Sequence, residues 1–344
     1  MKAMVLHEPG KPFVLEERPI PEPKKNEAVA KVLACGSGLT IQHTVAGRIQ
    51  SNFPIVIGHE ITAEITEIGP EVNSLSVGDP VTAFYYLTCG DCKWCRINRE
   101  TLCDNLNGQI GRHIDGGYAE YIKLPARNFI KLPEKLDYIK NPAEIGIITD
   151  AIATPYKVIR HAEISPMENI AIIGAGGGLG VHMVMVALWA GAIVTAVDIS
   201  SKKLKKCDEL GAHHSVNASQ VNLSESLMEL SNGQGMNVIV DFACTSSTIQ
   251  SGIHSLGKGG RFLPMAGTSS ASFKFNPKEM LKDERKILGS RYATKQEVID
   301  SLDLVARGEM WPVVTEKYTL DEVDKVHERI EQGLVTGRAA IIIQ

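Results

Sequence analysis

The chain has 344 residues, of which 44% are hydrophobic and 22% charged, and its formal net charge is −4. This composition is typical of a soluble globular protein with one or two domains. The small net charge gives no reason to expect a nucleic acid or an anionic membrane as a partner. No apolar run is long enough to span a bilayer, and the N-terminal residues lack the apolar core of a signal peptide. We therefore expect a cytoplasmic protein.

The N-terminal part of the chain is predicted to be rich in β-strands. Its short apolar stretches include EAVAKVLA (27–34), ITAEITEIG (61–69) and DPVTAFYYL (79–87). Apolar stretches of this kind, separated by Gly, Pro, Asn and Asp, indicate strands joined by turns. We expect a compact, partly open β-barrel.

From about Ile170, predicted strands and helices alternate. The strand patterns are NIAIIG (169–174), IVTAVD (193–198), MNVIVDFA (236–243) and GGRFLPMAG (259–267). The helix patterns are LGVHMVMVALWAGA, ending near Gly191, and SSKKLKKCDELGA, capped by Ser200 or Ser201. This alternation predicts a parallel, doubly wound sheet. Residues 319–343 are predicted to form a helix, a turn and a last strand.

A glycine-rich turn, GAGGGLG, joins the first strand and the first helix of the alternating part. It fits a form one residue longer than G-x-G-x-x-G, and glycine there lets the backbone approach a pyrophosphate at the helix N-terminus. Asp198 ends the next strand. A carboxylate there accepts hydrogen bonds from the adenosine ribose hydroxyls and repels a 2′-phosphate, so NAD is expected rather than NADP. The alternative is a helix-capping turn with a surface aspartate. The predicted cofactor-binding turn residues are Gly174, Gly177, Gly178, Leu179 and Gly180.

Four cysteines follow the pattern C-x2-C-x2-C-x7-C: Cys89, Cys92, Cys95 and Cys103. Four thiolates at this spacing close a tetrahedral shell around zinc and leave no position for water or substrate. The pattern therefore predicts one structural zinc ion per chain. The alternatives are two local disulfides, free thiols or a four-iron cluster, and disulfides are less expected in a cytosolic chain.

Together these features resemble the zinc-dependent medium-chain alcohol dehydrogenases. The matching motifs are GHE (58–60), VGDPV (77–81), the four-cysteine lobe, DGGYAEY (115–121) and GAGGGLG (174–180). The resemblance implies an α/β fold in which a Rossmann doubly wound parallel sheet is inserted in a GroES-like, partly open β-barrel catalytic domain. The implied boundaries are 1–151 and 293–344 for the catalytic domain, with its zinc lobe at about 88–104, and 152–292 for the Rossmann domain. A homodimer or homotetramer is implied as well.

The resemblance also assigns cofactor contacts outside the glycine turn. Lys203 matches a lysine that binds the adenosine ribose, Arg338 an arginine that reaches the pyrophosphate, and Thr154 a threonine near the nicotinamide. Without the resemblance, Lys203 and Arg338 would be read as solvated surface charges. At Leu39 the sequence departs from the family, which often has a charged residue there that touches the pyrophosphate.

The catalytic metal site of the family is altered in this sequence. Family members hold a catalytic zinc with a Cys, a His and a Cys or Asp, and a Glu lies nearby. His59, Glu60 and Asp150 match the last three positions, but Gly38 stands where the first cysteine is expected. Three interpretations remain open: the metal is absent, it is held by the three matching residues and water, or Cys35 is recruited through a shifted loop.

The family's proton-transfer residues are retained near this altered site. Thr40 matches the hydroxyl that contacts the reacting oxygen, and His43 matches the imidazole that passes the proton to solvent. Tyr85 falls where the family lines its substrate pocket, and its hydroxyl is a candidate for part of the metal's electrophilic role. Alternatively, Thr40 caps a helix, His43 is a histidine of a surface loop, and Tyr85 is a buried residue that only packs.

These residues predict an NAD(H)-dependent oxidoreductase that moves a hydride between nicotinamide and an alcohol or carbonyl substrate. Its catalytic zinc is expected to be weakened or absent. One alternative is a zinc-independent reductase of conjugated carbon–carbon double bonds, in which the oxygen needs only a hydrogen-bond donor. A second alternative is a nucleotide-binding protein without catalysis. The expected partner is a small-molecule substrate.

Overall fold

The computed structural model describes residues 1–266 and 271–343. Gly267, the last residue of the predicted strand GGRFLPMAG, lies outside them, as does Gln344. The strands are β1 (Lys2–Leu6), β2 (Val14–Glu17), β3 (Glu27–Ser37), β4 (Ile55–Val56), β5 (Glu60–Ile68), β6 (Pro80–Ala83), β7 (Tyr121–Pro125), β8 (Phe129–Lys131), β9 (Asn169–Ile173), β10 (Ile193–Asp198), β11 (His214–Asn217), β12 (Met236–Asp241), β13 (Leu256–Pro264), β14 (Lys286–Ile287), β15 (Val314–Thr319) and β16 (Arg338–Ile342).

The helices are α1 (Leu39–Val45), α2 (Lys93–Arg96), α3 (Pro142–Ile147), α4 (Ala153–His161), α5 (Gly180–Trp189), α6 (Ser201–Glu209), α7 (Leu223–Leu230), α8 (Ser246–His254), α9 (Pro277–Asp283), α10 (Lys295–Ala306) and α11 (Val323–Glu331). A π-helical segment, Ile148–Ile152, links α3 to α4, and short 3-10 turns occupy Glu100–Leu102, Ala126–Asn128 and Leu320–Glu322. Within the described residues, every helix is too short or too polar to cross a bilayer.

Two compact units make up the chain. The barrel unit comprises Met1–Ala153 and Ala293–Gln344, and the inserted unit comprises Thr154–Tyr292. The barrel unit is therefore formed by both ends of the chain, and the inserted unit interrupts it.

The inserted unit contains the predicted doubly wound sheet, which is confirmed. Its six strands are all parallel in the order β11-β10-β9-β12-β13-β14. The central strands β9 and β12 are runs of Ile, Val and Ala that are almost completely buried, as expected for parallel strands covered on both faces. Helix α6 begins after Ser200, whose Oγ accepts a hydrogen bond from the backbone N–H of Lys203 at 3.4 Å.

The barrel unit has a seven-stranded sheet and a three-stranded sheet, the latter in the order β2-β1-β4. In the larger sheet the order is β15-β16-β3-β5-β6-β8, and β7 also pairs with β3. Strand β3 has eleven residues, so its first half pairs with β7 and its last residues pair with β16, while β5 runs along its other edge. The predicted GroES-like architecture is confirmed. The last residues of β3 lie beside the residues of the candidate site.

Candidate active site

The four cysteines of the zinc lobe converge. Their Sγ atoms are separated by 3.5 Å (Cys89–Cys103), 3.6 Å (Cys92–Cys95), and 3.9 Å (Cys89–Cys95 and Cys92–Cys103). A tetrahedral shell with Zn–S bonds of about 2.3 Å has sulfur–sulfur edges of about 3.8 Å. Backbone N–H groups also point at two of the sulfurs. The cluster therefore fits a structural zinc ion.

The glycine turn of the inserted unit has the tight geometry that the sequence predicts. Gly174 has a φ of +76°, and a Cβ on Gly180 would overlap the carbonyl oxygen of Gly174, so α5 starts directly against the end of β9. The carboxylate of Asp198 accepts hydrogen bonds from the backbone N–H groups of Gly176 (3.0 Å) and Ser200 (3.1 Å). Asp198 is thus buried at the turn, where a ribose would lie in a Rossmann fold.

The remaining proposed cofactor residues lie on both units. Thr154 is buried in the first turn of α4, and Lys203 is in the first turn of α6, where its Cβ packs over Gly176. Leu39 is exposed at the start of α1. Arg338, in contrast, is 4% exposed and lies within the barrel unit.

Strand register places a glutamate and an arginine on opposite edges of β3. Gly36 pairs with Glu60 on β5, and Ser37 pairs with Ala339 on β16, so Arg338 comes next to Gly38. Gly36 and Gly38 are two residues apart in extended chain and therefore share one face. That face carries no side chain at these two positions, and the side chains of Glu60 and Arg338 meet over it.

Arg338 binds two buried carboxyl groups. Its Nη2 lies 2.7 Å from Oε1 of Glu60 and 2.7 Å from Oδ2 of Asp150, which comes from the middle of the π-helical segment. A Cβ placed on Gly38 would overlap Nη1 of Arg338 and lie 2.7 Å from its Cζ. The guanidinium therefore occupies the space next to the backbone that a side chain at position 38 would need.

Burial shapes the protonation of this cluster. It raises the pKa of Glu60 to about 8; the Arg338 charge opposes the rise, and the charge of Asp150 and its hydrogen bond add to it. This rise favours the protonated form of the Glu60 carboxyl at neutral pH. Burial also lowers the pKa of His59 to about 4, so its imidazole is neutral.

A catalytic metal does not fit this cluster as it stands. Ligand atoms of His59, Glu60 and Asp150 lie within 4.8 Å of one another, and Oε2 of Glu60 is buried without a hydrogen-bond partner among the described residues. Both observations favour a cation. Against them, both carboxyls already bind the Arg338 guanidinium, and a divalent ion between them would lie against that positive charge. The sulfur of Cys35 gives no ligand here, because it packs by Gly58 on the other face of β3.

Tyr85 lies next to His59, with ring centroids 4.3 Å apart. Burial raises the pKa of its phenol, which therefore keeps its proton, and Arg112 hydrogen-bonds to it. Arg112 also donates to Oε1 of Gln109 and to the carbonyl oxygen of Gln50, both at 2.6 Å. No sequence motif includes Arg112, which lies in a loop, so its role could not be predicted from the sequence.

Thr40 and His43 lie one turn apart on α1, on the same side of the helix. Thr40 is exposed and His43 is half-buried. Nη1 of Arg48 lies 3.1 Å from Nδ1 of His43, and Arg48 also forms an ion pair with Glu331 on α11. Arg48 and Glu331 belong to no recognised motif, and they meet only because α1 packs against α11.

A chain of hydrogen bonds continues from Glu331 into the barrel unit. Gln42 donates to Glu331 (2.8 Å), its oxygen lies 2.9 Å from Nδ1 of His327, and Nε2 of His327 lies 3.1 Å from the hydroxyl of Tyr118. That hydroxyl contacts Ser37 at the end of β3. Four of the five side chains are buried, so this network fixes α1 and α11 against the strand that carries Gly38.

Comparison with known proteins places both parts of the chain in one family. Residues 24–134 match the model of the alcohol dehydrogenase GroES-like domain, and residues 178–307 match the model of the zinc-binding dehydrogenase. An alcohol dehydrogenase from Geobacillus stearothermophilus is 33% identical over 347 residues, which cover 99% of this chain and 98% of that protein.

Two further comparisons agree. An NAD-dependent alcohol dehydrogenase of Sulfurisphaera tokodaii is 29% identical over 352 residues, covering 99% of this chain and 100% of the relative. The crystal structure of the alcohol dehydrogenase from Aeropyrum pernix aligns with a TM-score of 0.91 at 31% identity, over 99% of this chain and 100% of that one. The chain therefore belongs to the zinc-type medium-chain alcohol dehydrogenase family.

Proposed function

We propose that this protein is an NAD(H)-dependent oxidoreductase that transfers a hydride between nicotinamide and an alcohol or carbonyl substrate without a catalytic zinc. The observation that carries the proposal is the pair Thr40 and His43, one turn apart on α1. A hydroxyl and an imidazole so placed provide a proton path for chemistry on oxygen. Family membership and the name of the Sulfurisphaera tokodaii relative support the cofactor.

Each proposed residue has a separate task. Bound NAD supplies or accepts the hydride. The glycine turn receives the pyrophosphate at the start of α5, and Asp198 and Lys203 hold the adenosine ribose. Thr40 donates a hydrogen bond to the substrate oxygen or accepts one from it, and His43 exchanges the proton with solvent. The four cysteines hold a structural zinc that takes no part in the reaction.

The substrate oxygen needs a donor that compensates for the missing metal. Tyr85 is the best candidate in the barrel unit, because its phenol is held in the protonated form and Arg112 polarises it. A hydrogen-bond donor of this kind stabilises negative charge that develops on the oxygen during hydride transfer. This role for Tyr85 belongs to the proposal.

The Tyr85 hydroxyl also favours one other reaction. When a hydride attacks the β-carbon of an enal or enone, the negative charge on oxygen is delocalised, so a hydrogen-bond donor is sufficient. Reduction of a conjugated carbon–carbon double bond is therefore the second candidate function.

Product analysis separates these functions. The purified protein would be incubated with NADH or NADPH and with saturated aldehydes and ketones or the matching enals and enones. We expect NADH-dependent formation of alcohols. Saturated carbonyl products from enals would favour the second candidate, and no NADH oxidation with any compound would favour a non-catalytic nucleotide-binding protein.

Variants of Thr40 test the proton path. We expect T40A to lower kcat by about 10²-fold or more, because the hydroxyl takes part in acid–base catalysis. The matched control is T40S, which keeps the hydroxyl and is expected to keep most of the activity. Equal loss in both variants would contradict the role of the hydroxyl.

We also infer from the resemblance that the protein works in the cytoplasm as a homodimer or homotetramer. Light scattering on the purified chain tests the oligomeric state, and a monomer in solution would contradict this inference.

A further inference from the structure

We infer that Arg338 takes the place of the catalytic metal as the cation of this centre, and that Gly38 is the residue that leaves room for it. Glu60 and Asp150 are then ligands of a guanidinium rather than of a metal ion. The inference concerns the barrel unit alone and does not depend on the proposed reaction.

The first step is the shape of β3. Gly36 and Gly38 lie on one face of the extended chain, and neither contributes a side chain there. A Cβ on Gly36 would overlap Oε2 of Glu60, and a Cβ on Gly38 would overlap Nη1 of Arg338. The two glycines are thus what allows an acid from β5 and a base from β16 to meet across this strand.

The second step is the charge. The side chains of Glu60, Asp150 and Arg338 are 1%, 8% and 5% exposed, so water screens their interaction poorly. A buried carboxylate needs a cation close by, and Nη2 of Arg338 is 2.7 Å from an oxygen of each of the two acids. Because the guanidinium already fills that role, a divalent ion would gain little and would be repelled by it.

The third step is the missing thiolate. A cysteine at position 38 would require the volume that Nη1 and Cζ of Arg338 occupy. A thiolate ligand at position 38 and a guanidinium in its present place therefore exclude each other. The family also has an arginine at this position, so the glycine accompanies the buried place of the guanidinium rather than the presence of the arginine.

Counting metal ions tests the inference. The wild-type protein, Arg338→Ala and the double variant Gly38→Cys/Arg338→Ala would each be incubated with excess ZnCl2, desalted and analysed by mass spectrometry for zinc per chain. We expect one zinc in the wild type, at the four cysteines, and two in the double variant, which regains a thiolate beside His59 and Asp150. Arg338→Ala is expected to bind the second zinc more weakly than the double variant.

Arg329→Ala is the matched control, because Arg329 also binds a carboxylate, Glu316, but at the surface of the same unit. It is expected to keep one zinc. Two zinc ions in the wild type would overturn the inference, and this result requires no variant to fold. One zinc in a double variant with a wild-type circular dichroism spectrum would also overturn it.

The count needs neither cofactor nor substrate, so it is independent of the proposed function. A wild-type protein with one zinc and no redox activity would contradict the proposed function and leave this inference intact. A wild-type protein with two zinc ions and NADH-dependent activity would overturn this inference and the absence of a catalytic zinc, but it would leave the proposed hydride transfer intact.

Discussion

Arg48 decides which nitrogen of His43 carries a proton. Arginine is always charged and only donates hydrogen bonds, so Nδ1 of His43 must accept from it, at 3.1 Å. The neutral ring then carries its proton on Nε2. Burial is the main cause that lowers the pKa of His43, the charge of Arg48 adds to it, and Glu331 opposes it.

Replacing Arg48 should therefore change the pH dependence of the reaction. In Arg48→Gln the repelling charge is lost, protonated His43 becomes easier to form, and its pKa rises. We expect the acid limb of the kcat/KM profile to move to higher pH. Glu331→Gln removes the opposing carboxylate and should move the limb the other way. Identical pH profiles of kcat/KM in the two variants would show that the acid limb does not arise from the ionisation of His43.

The individual motif residues were predictable from the sequence, but their partners were not. The four cysteines, the glycine turn and Asp198 are close in sequence or follow a strand–turn–helix pattern, so local spacing identifies them. Arg48 and Glu331 are far apart in sequence, and neither has a spacing rule. Their contact depends on the packing of two helices, which no local pattern encodes.

At the scale of elements, strand β3 was likewise predictable from local sequence, whereas its pairing with other strands was not. Its apolar stretch predicts a strand, and the strand extends three residues beyond the predicted one, to Ser37. Which strands flank it, and in what register, follows from tertiary structure. The sequence therefore indicated that Gly38 was unusual, but only the pairing of β16 with β3 brings Arg338 to it.

The zinc lobe is an element with almost no apolar core. From Cys89 to Asp104, Thr101 is the only residue that is fully buried. A segment that buries so little apolar surface depends on its metal for its structure. The lobe is therefore held by its four sulfur ligands.

Removing one ligand should release this metal. We expect Cys103→Ser to lower the zinc content from one per chain to none, because the remaining three thiolates bind far more weakly. Trypsin should then cut within the lobe, at Lys93, Arg96 or Arg99. Cys207→Ser, at a buried thiol of the inserted unit, is the control and should retain the zinc. Zinc retained in Cys103→Ser would contradict a four-cysteine site.

At the scale of the whole molecule, the hydrogen-bond chain connects the two ends of the sequence within the barrel unit. The carboxylate of Glu331 can only accept, so Gln42 donates its amide N–H and offers its oxygen to Nδ1–H of His327. When the ring is neutral, Nε2 of His327 accepts a hydrogen bond from the hydroxyl of Tyr118. Burial favours this neutral imidazole at position 327, and a proton on its Nε2 would reverse the hydrogen bond to Tyr118.

The barrel unit should consequently lose stability in acid. Burial lowers the pKa of His327 to about 3, whereas an unfolded histidine has a pKa of about 6.5. Below about pH 6.5 the unfolded chain binds a proton that the folded chain does not, so the free energy of unfolding falls as pH falls toward 3. The slope approaches about 1.4 kcal/mol per pH unit for this group.

Urea unfolding at several pH values between 7 and 4 measures this effect. We expect His327→Gln to lower stability at pH 7 and to flatten the pH dependence relative to the wild type. His7→Gln, at an exposed histidine of the same unit, should keep the wild-type slope. A variant of His327 with an unchanged slope would contradict the neutral buried state.

The contact between Gly38 and Arg338 also couples the effects of substitutions at these two positions. A cysteine introduced at position 38 overlaps the guanidinium, and a short residue at position 338 leaves Glu60 and Asp150 without their cation. The cysteine therefore requires the guanidinium to move from its present place, and this movement is unnecessary once residue 338 is short. The effects of substitutions at the two positions are therefore expected to be non-additive, as for residues in direct contact.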